Sequence, residues 1–207
     1  MKRPLIFSLL GAAVMAVMST ALTADTPPKI GQPAPAFSAM DDHGAARSLA
    51  DFKGKFVVLE WHNNGCPYVQ KHYNSHNMQN LQREWTAKGV VWLTIISSAP
   101  GTQGYVTPEQ SQAFAKQSGM ASTAVLLDPK GDLGHLYAAT NTPQMFVIDP
   151  KGILVYSGAI DDQPTADPAS LKTARNFVAA ALAEATAGKP VTTPMSQPYG
   201  CTVKYAR

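Results

Sequence analysis

The feature that most constrains this chain is Cys66, which lies in Gly65-Cys66-Pro67-Tyr68 between an apolar run and an amphipathic stretch. The run over residues 56–61 predicts a buried strand, and residues 69–85 have helical spacing with few breakers. A cysteine at such a junction meets the unpaired N–H groups and the positive dipole end of the helix, which stabilise a thiolate. The junction therefore predicts a reactive thiol or, as for many lone cysteines, a small buried apolar residue.

The start of the chain has the pattern of a secretory signal peptide. Lys2 and Arg3 precede an apolar run over residues 5–17, which is too short for a comfortable membrane span. Ser19-Thr20-Ala21 fits the cleavage rule best, and Leu22-Thr23-Ala24 is an alternative. We therefore predict a signal peptide over residues 1–24 and a periplasmic or secreted mature protein.

The composition argues against two kinds of partner, nucleic acid and a lipid bilayer. Loss of Lys2 and Arg3 with the signal peptide lowers the formal net charge from +3 to +1. Nothing basic enough to bind nucleic acid remains. No second apolar stretch is long enough to span a bilayer, so we predict no stable membrane insertion after cleavage. The 207 residues, 45% of them hydrophobic, suit one domain with appendages.

Alternating apolar runs and amphipathic stretches predict an α/β order. Residues 90–96 read as a strand buried on both faces. The loop over 97–105 follows as a candidate wall of the site or, alternatively, a solvated surface loop. Thr107, Pro108 and Gln110 predict a capped helix start. A strand over 124–127, a brief helix over 132–139 and a final helix over 170–187 complete the order β-α-β-α-β-α-β-β-α.

Several motifs resemble the thioredoxin superfamily in the order that this family has them. Thr142-Pro143 directly precedes an apolar strand, as in the cis-proline loop, and Asp149-Pro150-Lys151-Gly152 is a hairpin turn. The segments 30–37 and 49–55 resemble the opening of redoxin domains, the branch that holds peroxiredoxins and periplasmic thioredoxins. The resemblance implies a thioredoxin-like domain over 28–187, with a central mixed β-sheet flanked by helices, a redoxin-type N-terminal extension and an inserted helix. Residues 188–207 would form a C-terminal tail.

The resemblance also assigns roles at the site. Cys66 would be the nucleophile of thiol–disulfide exchange or peroxide reduction. Pro67 would fix the first turn of the helix, and Thr142 with cis Pro143 would orient an incoming peptide or thiol. No organic cofactor is needed, because a partner thiol or dithiol protein would act as electron donor or substrate.

The chain departs from both well-known branches of this family. The second cysteine of a Cys-x-x-Cys motif is replaced by Val69. The peroxiredoxin motif Pro-x-x-x-Thr-x-x-Cys, placed on Cys66, would need Pro at Leu59 and Thr at Asn63. The peroxidatic cysteine of that family also aligns with the second cysteine of the thioredoxin motif, which is the place of Val69. The similarity is greatest to peroxiredoxin-like redoxins that keep only the first cysteine.

Cys201 is the other cysteine and a candidate resolving thiol. It follows a Pro-rich linker over 190–198, which at about 3.1 Å per residue could return across a small domain. We predict a Cys66–Cys201 disulfide in the oxidised protein, formed by thiol–disulfide exchange. A purely structural disulfide and a free tail thiol are the alternatives.

Glu60 is a candidate proton relay because thioredoxins carry a buried acid at the same offset from their first cysteine. Burial predicts a raised pKa for this carboxyl group, which would suit proton transfer at neutral pH. The alternative is an edge-facing or ion-paired glutamate.

A copper or zinc site is a competing hypothesis. His72 and His76 are four residues apart in the predicted helix and would share a face near Cys66, giving a soft nitrogen and sulfur ligand set. Surface histidines on a polar helix face are the alternative. A redox-inert interaction domain is a third possibility for the whole chain.

Overall fold

A computed structural model describes residues 27–206, so the predicted signal peptide lies outside the described residues. The main sheet has seven strands in the order β2-β1-β5-β4-β3-β7-β8. Their bounds are β1 Ser38–Asp41, β2 Ala46–Ser48, β3 Val57–Trp61, β4 Val91–Ile96, β5 Ala124–Leu127, β7 Gln144–Ile148 and β8 Leu154–Gly158. Two further strands, β6 Asn141–Thr142 and β9 Cys201–Thr202, form a separate pair.

The sheet is mixed, as the sequence predicts. β3 pairs in parallel with β4, and β4 pairs in parallel with β5. β7 lies antiparallel to both β3 and β8, and β1 lies antiparallel to β5 and β2. Every residue of β3, β4 and β7 is buried, which is why these segments are almost continuously apolar.

In the described range, 27–206, five α-helices flank the sheet: α1 Pro67–Asn74, α2 Asn77–Ala87, α3 Pro108–Ser118, α4 Asp132–Leu136 and α5 Phe177–Thr186. The predicted start of α3 is confirmed, because Thr107 and Gln110 form the capping box. Two predictions of long helices are wrong. The first is the final helix predicted over 170–187, because a short 3-10 helix over Pro168–Lys172 stands apart from α5.

The predicted continuous helix after Cys66 is the other correction. It is broken at Ser75 and His76, where His76 adopts a left-handed φ of 59°. The Ser75 hydroxyl donates to the carbonyls of Lys71 and His72 and closes the end of α1. The chain therefore restarts as α2, and His72 and His76 do not share one helix face.

The apolar core of the described residues has two large parts, one on each face of the sheet, and a small third cluster of Ile96, Val106 and Val125. One contains Cys66 with Val69, Met78, Leu81 and residues of β7 and α5. The other contains Leu59, Trp61, Leu93, Tyr137 and Phe146 among others. Within residues 27–206, no helix is long and apolar enough to cross a membrane.

The C-terminal tail, residues 188–206, lies along the domain instead of extending away from it. Ser157 accepts the amide of Ser196 at 3.2 Å beside β8. Further on, the amide of Val203 donates to Thr140 at 2.9 Å, and the Tyr205 hydroxyl donates to Ala139 at 2.6 Å. These contacts bring Cys201 to the end of the sheet where β3 delivers Cys66.

Candidate active site

Cys66 is the N-cap residue of α1, directly after the loop that leaves β3. Its side chain is fully buried, and Pro67 occupies the first turn of the helix, where a missing N–H costs nothing. The Cys66 thiol lies 3.2 Å from the carbonyl oxygen of Thr142, to which it donates. The Thr142–Pro143 peptide bond is cis, and so the predicted loop does face the cysteine.

Cys201 reaches the same place from the tail. In the antiparallel pair β6–β9, Cys201 stands directly opposite Thr142, and Asn141 stands opposite Thr202. The side-chain amide of Asn141 donates to the Gly200 carbonyl at 3.1 Å and holds the strand in this register. Both cysteines are free thiols in the structure.

The two thiols shift each other's acidity in opposite directions. Burial raises the pKa of the Cys66 thiol, but hydrogen bonds from the Cys201 and Thr142 side chains outweigh it and leave the pKa below its ordinary value. Burial, followed by the hydrogen bond and charge of Cys66, raises the pKa of Cys201 to about 11. At a given pH, therefore, a larger fraction of Cys66 than of Cys201 is in the thiolate form.

The loop over 97–105 borders the site, as the sequence predicts. The Gln103 side chain donates to the Gly65 carbonyl at 3.0 Å, and the side-chain amide of Asn63 donates to the Gln103 carbonyl at 3.1 Å. The Ala99 amide donates to the Lys204 carbonyl at 2.8 Å. The loop thus holds both the segment before Cys66 and the tail after Cys201.

Glu60 is fully buried in β3 and accepts hydrogen bonds from several donors. The donors are the Tyr73 hydroxyl at 2.7 Å, the Trp92 indole at 2.7 Å, the Gln82 side-chain amide at 3.0 Å and the Thr94 hydroxyl at 3.4 Å. His62 Nδ1 lies 3.5 Å from the carboxylate. Within residues 27–206, no hydrogen bond joins Glu60 to Cys66.

The prediction of a raised pKa for Glu60 is wrong in direction. Burial does raise the pKa of this carboxyl group, but the hydrogen bond and charge of His62 and the hydrogen bonds from Trp92 and Tyr73 bring it below its ordinary value. All of these neighbours present donors, which favour the carboxylate. The role of Glu60 as a proton relay stays a prediction.

The structure separates the three residues of the hypothetical metal site. His72 is buried in α1, with Asn77 Nδ2 at 2.9 Å from its Nδ1 atom, whereas His76 is exposed at the start of α2. In the described part of the chain, no three His, Cys, Asp or Glu side chains are grouped so as to hold a metal ion.

Three residues near the tail have no role in the sequence-based predictions: Lys71, Asp161 and Tyr199. Lys71 and Asp161 are almost fully buried, and the Tyr199 hydroxyl donates a short hydrogen bond to Asp161 Oδ1. The sequence offered one indication of this cluster, the presence of Lys71 among apolar residues in the helix after Cys66. Asp161 and Tyr199 lie in segments without periodicity.

Comparison with known proteins supports the same assignment of fold. The AhpC/TSA family matches residues 30–157. The chain is 30% identical over 124 residues to the Thioredoxin-like protein YneN of Bacillus subtilis (strain 168), across 60% of this chain and 68% of that protein. These matches and the seven-stranded mixed sheet confirm the predicted redoxin family and thioredoxin-like fold.

Solved structures agree with this fold. An uncharacterized conserved protein from Geobacillus kaustophilus superposes with a TM-score of 0.72 at 25% identity, over 86% of this chain and 93% of that one. A thiol:disulfide interchange protein from Bacteroides sp. gives a TM-score of 0.51 at 21% identity, over 70% of this chain and 88% of that one. The second likeness is one of fold alone.

Proposed function

The chain belongs to the AhpC/TSA family, and from this premise we propose that it is an exported thiol–disulfide oxidoreductase with Cys66 and Cys201 as its redox pair. Family membership supports a redox function in general terms. The finer assignment is carried by one observation, the placement of Cys201 opposite Thr142, whose carbonyl oxygen the Cys66 thiol reaches.

The acidity of the two thiols supports a division of roles. The Cys66 thiolate attacks one sulfur of a partner disulfide, forms a mixed disulfide and releases one partner thiolate, which takes up a proton. Cys201 then attacks the Cys66 sulfur, loses its proton to the second partner thiolate, and leaves a Cys66–Cys201 disulfide. The partner gains two electrons and becomes a dithiol, and the same steps run backwards when a partner dithiol reduces the protein.

Disulfide exchange is favoured over peroxide reduction by the residue at position 63. A peroxiredoxin motif placed on Cys66 would need a threonine there, and this chain has an asparagine. The Asn63 side-chain oxygen accepts the Gly65 backbone amide at 2.9 Å, and its side-chain amide donates to the Gln103 carbonyl. These bonds shape the turn before Cys66, and the asparagine side chain supplies no hydroxyl for a peroxide.

The remaining parts of the proposal follow from the predictions on the sequence. Thr142 and Pro143 orient the partner's sulfur, and Pro67 fixes the helix start. Export rests on the pattern of residues 1–24, and the partners are thiol or dithiol proteins. Because Cys66 has no exposed surface, the tail must open locally before a protein partner reaches the sulfur.

The test equilibrates the reduced protein with oxidised and reduced glutathione and maps the non-reduced peptides by mass spectrometry. We expect an intramolecular Cys66–Cys201 disulfide, whereas the matched variants Cys66→Ser and Cys201→Ser form mixed disulfides with glutathione only. Recovery of both cysteines as free thiols, or of a bond between two chains, would defeat the proposal. Stoichiometric copper binding that is lost in His72→Ala would instead support the metal hypothesis.

A parallel measurement separates the two redox reactions. The protein should reach its disulfide with glutathione disulfide without consuming hydrogen peroxide at a comparable rate. Rapid peroxide consumption that requires Cys66 would assign the protein to peroxide reduction instead.

A further inference from the structure

A buried polar cluster anchors the tail two residues before Cys201. We name it the Tyr199 anchor; it consists of Tyr199, Lys71 and Asp161. The Tyr199 hydroxyl donates to Asp161 Oδ1, and Lys71 Nζ lies 3.4 Å from the same hydroxyl and 3.5 Å from Asp161 Oδ2. Lys71 Nζ also donates to the Gln163 carbonyl at 2.8 Å.

The charged pair of the cluster is protected from water. The Lys71 and Asp161 side chains have at most about 1% of their surface exposed, and a buried charge that loses its partner is strongly destabilising. Burial raises the pKa of the Tyr199 phenol, followed by its hydrogen bond to Asp161. The phenol therefore stays protonated and donates at every ordinary pH.

Packing reinforces the hydrogen bond. The rings of Tyr199 and Tyr68 lie 5.8 Å apart at an angle of 60°, and Lys71 Nζ lies 5.4 Å from the centre of the Tyr199 ring. Tyr68 and Lys71 both belong to α1, the helix that begins at Cys66. The anchor thus ties the tail to the element that carries the nucleophile.

We propose that Tyr199, held by Lys71 and Asp161, positions Cys201 against Cys66 and so raises the equilibrium constant for their disulfide. This inference rests on the proposed function. Only one residue, Gly200, separates Tyr199 from Cys201, so fixing the phenol leaves the second thiol little freedom to move. Without the anchor, the reduced tail samples open positions, and closing the disulfide must first restore the docked one.

The measured reaction is balanced with glutathione disulfide as the oxidant. The two protein thiols and one glutathione disulfide give one Cys66–Cys201 disulfide and two glutathione thiols. An ordered tail raises the effective concentration of one protein thiol at the other, which shifts this equilibrium towards the protein disulfide.

The test compares Tyr199→Phe with Tyr137→Phe in the full chain. Each substitution keeps the ring and removes only a hydroxyl, and the Tyr137 hydroxyl donates to the Pro35 carbonyl at 2.7 Å, outside the anchor. Because Tyr199→Phe removes a hydrogen bond to a charged group, we expect the glutathione equilibrium constant to fall about tenfold, which is about 30 mV for this couple. It should stay unchanged in Tyr137→Phe.

Amide hydrogen exchange distinguishes local opening of the tail from a general loss of stability, because it reports the two regions separately. In the reduced protein, the Val203 amide should exchange about tenfold faster in Tyr199→Phe, while the amides of β4 keep their protection. In the disulfide form, the covalent link should hold the tail closed and restore most of the protection at Val203.

Three other outcomes would overturn the inference, and the measurements distinguish them. If the wild type forms the disulfide but Tyr199→Phe matches the wild type in both measurements, the anchor does not position Cys201 and the proposed function stands. If β4 and Val203 exchange faster by the same factor, the hydroxyl stabilises the whole domain instead. If the wild type forms no Cys66–Cys201 disulfide, the proposed function and this inference both fail.

Discussion

Cys201 lies directly opposite Thr142 in an antiparallel pair, and the carbonyl oxygen of Thr142 is 3.2 Å from the Cys66 sulfur. One short strand, β6, therefore contacts both cysteines. The docked tail pairs with β6 as a second strand, in the manner in which extended peptides bind beside an exposed strand.

The first prediction concerns the thiol donor that Cys201 offers to Cys66. Cys201→Ala removes that donor, whereas Cys201→Ser keeps a hydroxyl in its place. Because hydrogen bonding to the charged form lowers a pKa, the pKa of Cys66 should be higher in Cys201→Ala than in Cys201→Ser. Thiolate absorbance near 240 nm, recorded across pH, measures it. Identical titrations in the two variants would mean that Cys201 does not stabilise the thiolate.

The second prediction concerns the close approach of the tail at Gly200. A Cβ atom at this position would lie 2.1 Å from the Thr142 carbonyl oxygen, and the backbone has a φ of 121°. Strain of this kind costs on the order of 1–3 kcal/mol, so Gly200→Ala should lower the glutathione equilibrium constant of the cysteine pair about tenfold or more.

Gly188→Ala is the matched control for Gly200→Ala. Gly188 also has a positive φ, 71°, but a Cβ atom there meets nothing within 4 Å. An equal effect of the two substitutions on the disulfide would show that the clash with Thr142 is unimportant and that general backbone strain is responsible.

The sequence was sufficient for the elements whose residues are uniformly apolar or carry a capping signal. The strands β3 and β4 and the capped start of α3 are predicted correctly, because burial on both faces and the Thr107 capping box leave local traces. The break at His76 is not predicted, since a non-glycine residue with positive φ has no clear sequence signature.

The site was predictable only in part. Cys66 and the Thr142-Pro143 pair could be identified because both stand at the ends of strands. The Tyr199 anchor could not, because it joins α1, the segment after β8 and the tail over separations of 38 to 128 residues. The direction of the Glu60 pKa shift depends on donors from α1, α2 and β4, which no local pattern reveals.

The third prediction separates a structural role of Glu60 from a proton relay. Glu60→Gln places an amide N–H against the phenol, indole and amide donors that now share the carboxylate, and it leaves His62 without a nearby charge. We expect a loss of about 2–4 kcal/mol in the free energy of unfolding, measured in urea. The thiolate titration of Cys66 should stay unchanged, because Glu60 does not contact it.

A shifted Cys66 titration in folded Glu60→Gln would contradict this expectation and support the relay. The control is Glu84→Gln, which makes the same substitution on the exposed face of α2. That substitution should leave both the stability and the titration close to those of the wild type.

The last prediction is a pH dependence of stability that originates at His72. Burial is the main cause that lowers the pKa of this imidazole to about 4; Asp161 opposes it, Lys71 adds to it and Glu60 opposes it. In the unfolded chain the pKa returns to about 6.5. Between these values the unfolded state binds more protons, so the free energy of unfolding should fall as the pH decreases from about 6.5 towards 4.

The His72 contribution to this fall is about 3 kcal/mol, at 1.36 kcal/mol per pKa unit. In His72→Gln that contribution should be absent, because glutamine does not titrate, so the difference in stability between pH 7 and pH 4.5 should be smaller than in the wild type. Urea unfolding at the two pH values measures it, and His43→Gln, at an exposed histidine, is the control. An equal pH dependence in the wild type and His72→Gln would show that the buried imidazole does not oppose protonation, and that the acid sensitivity of the domain has another source.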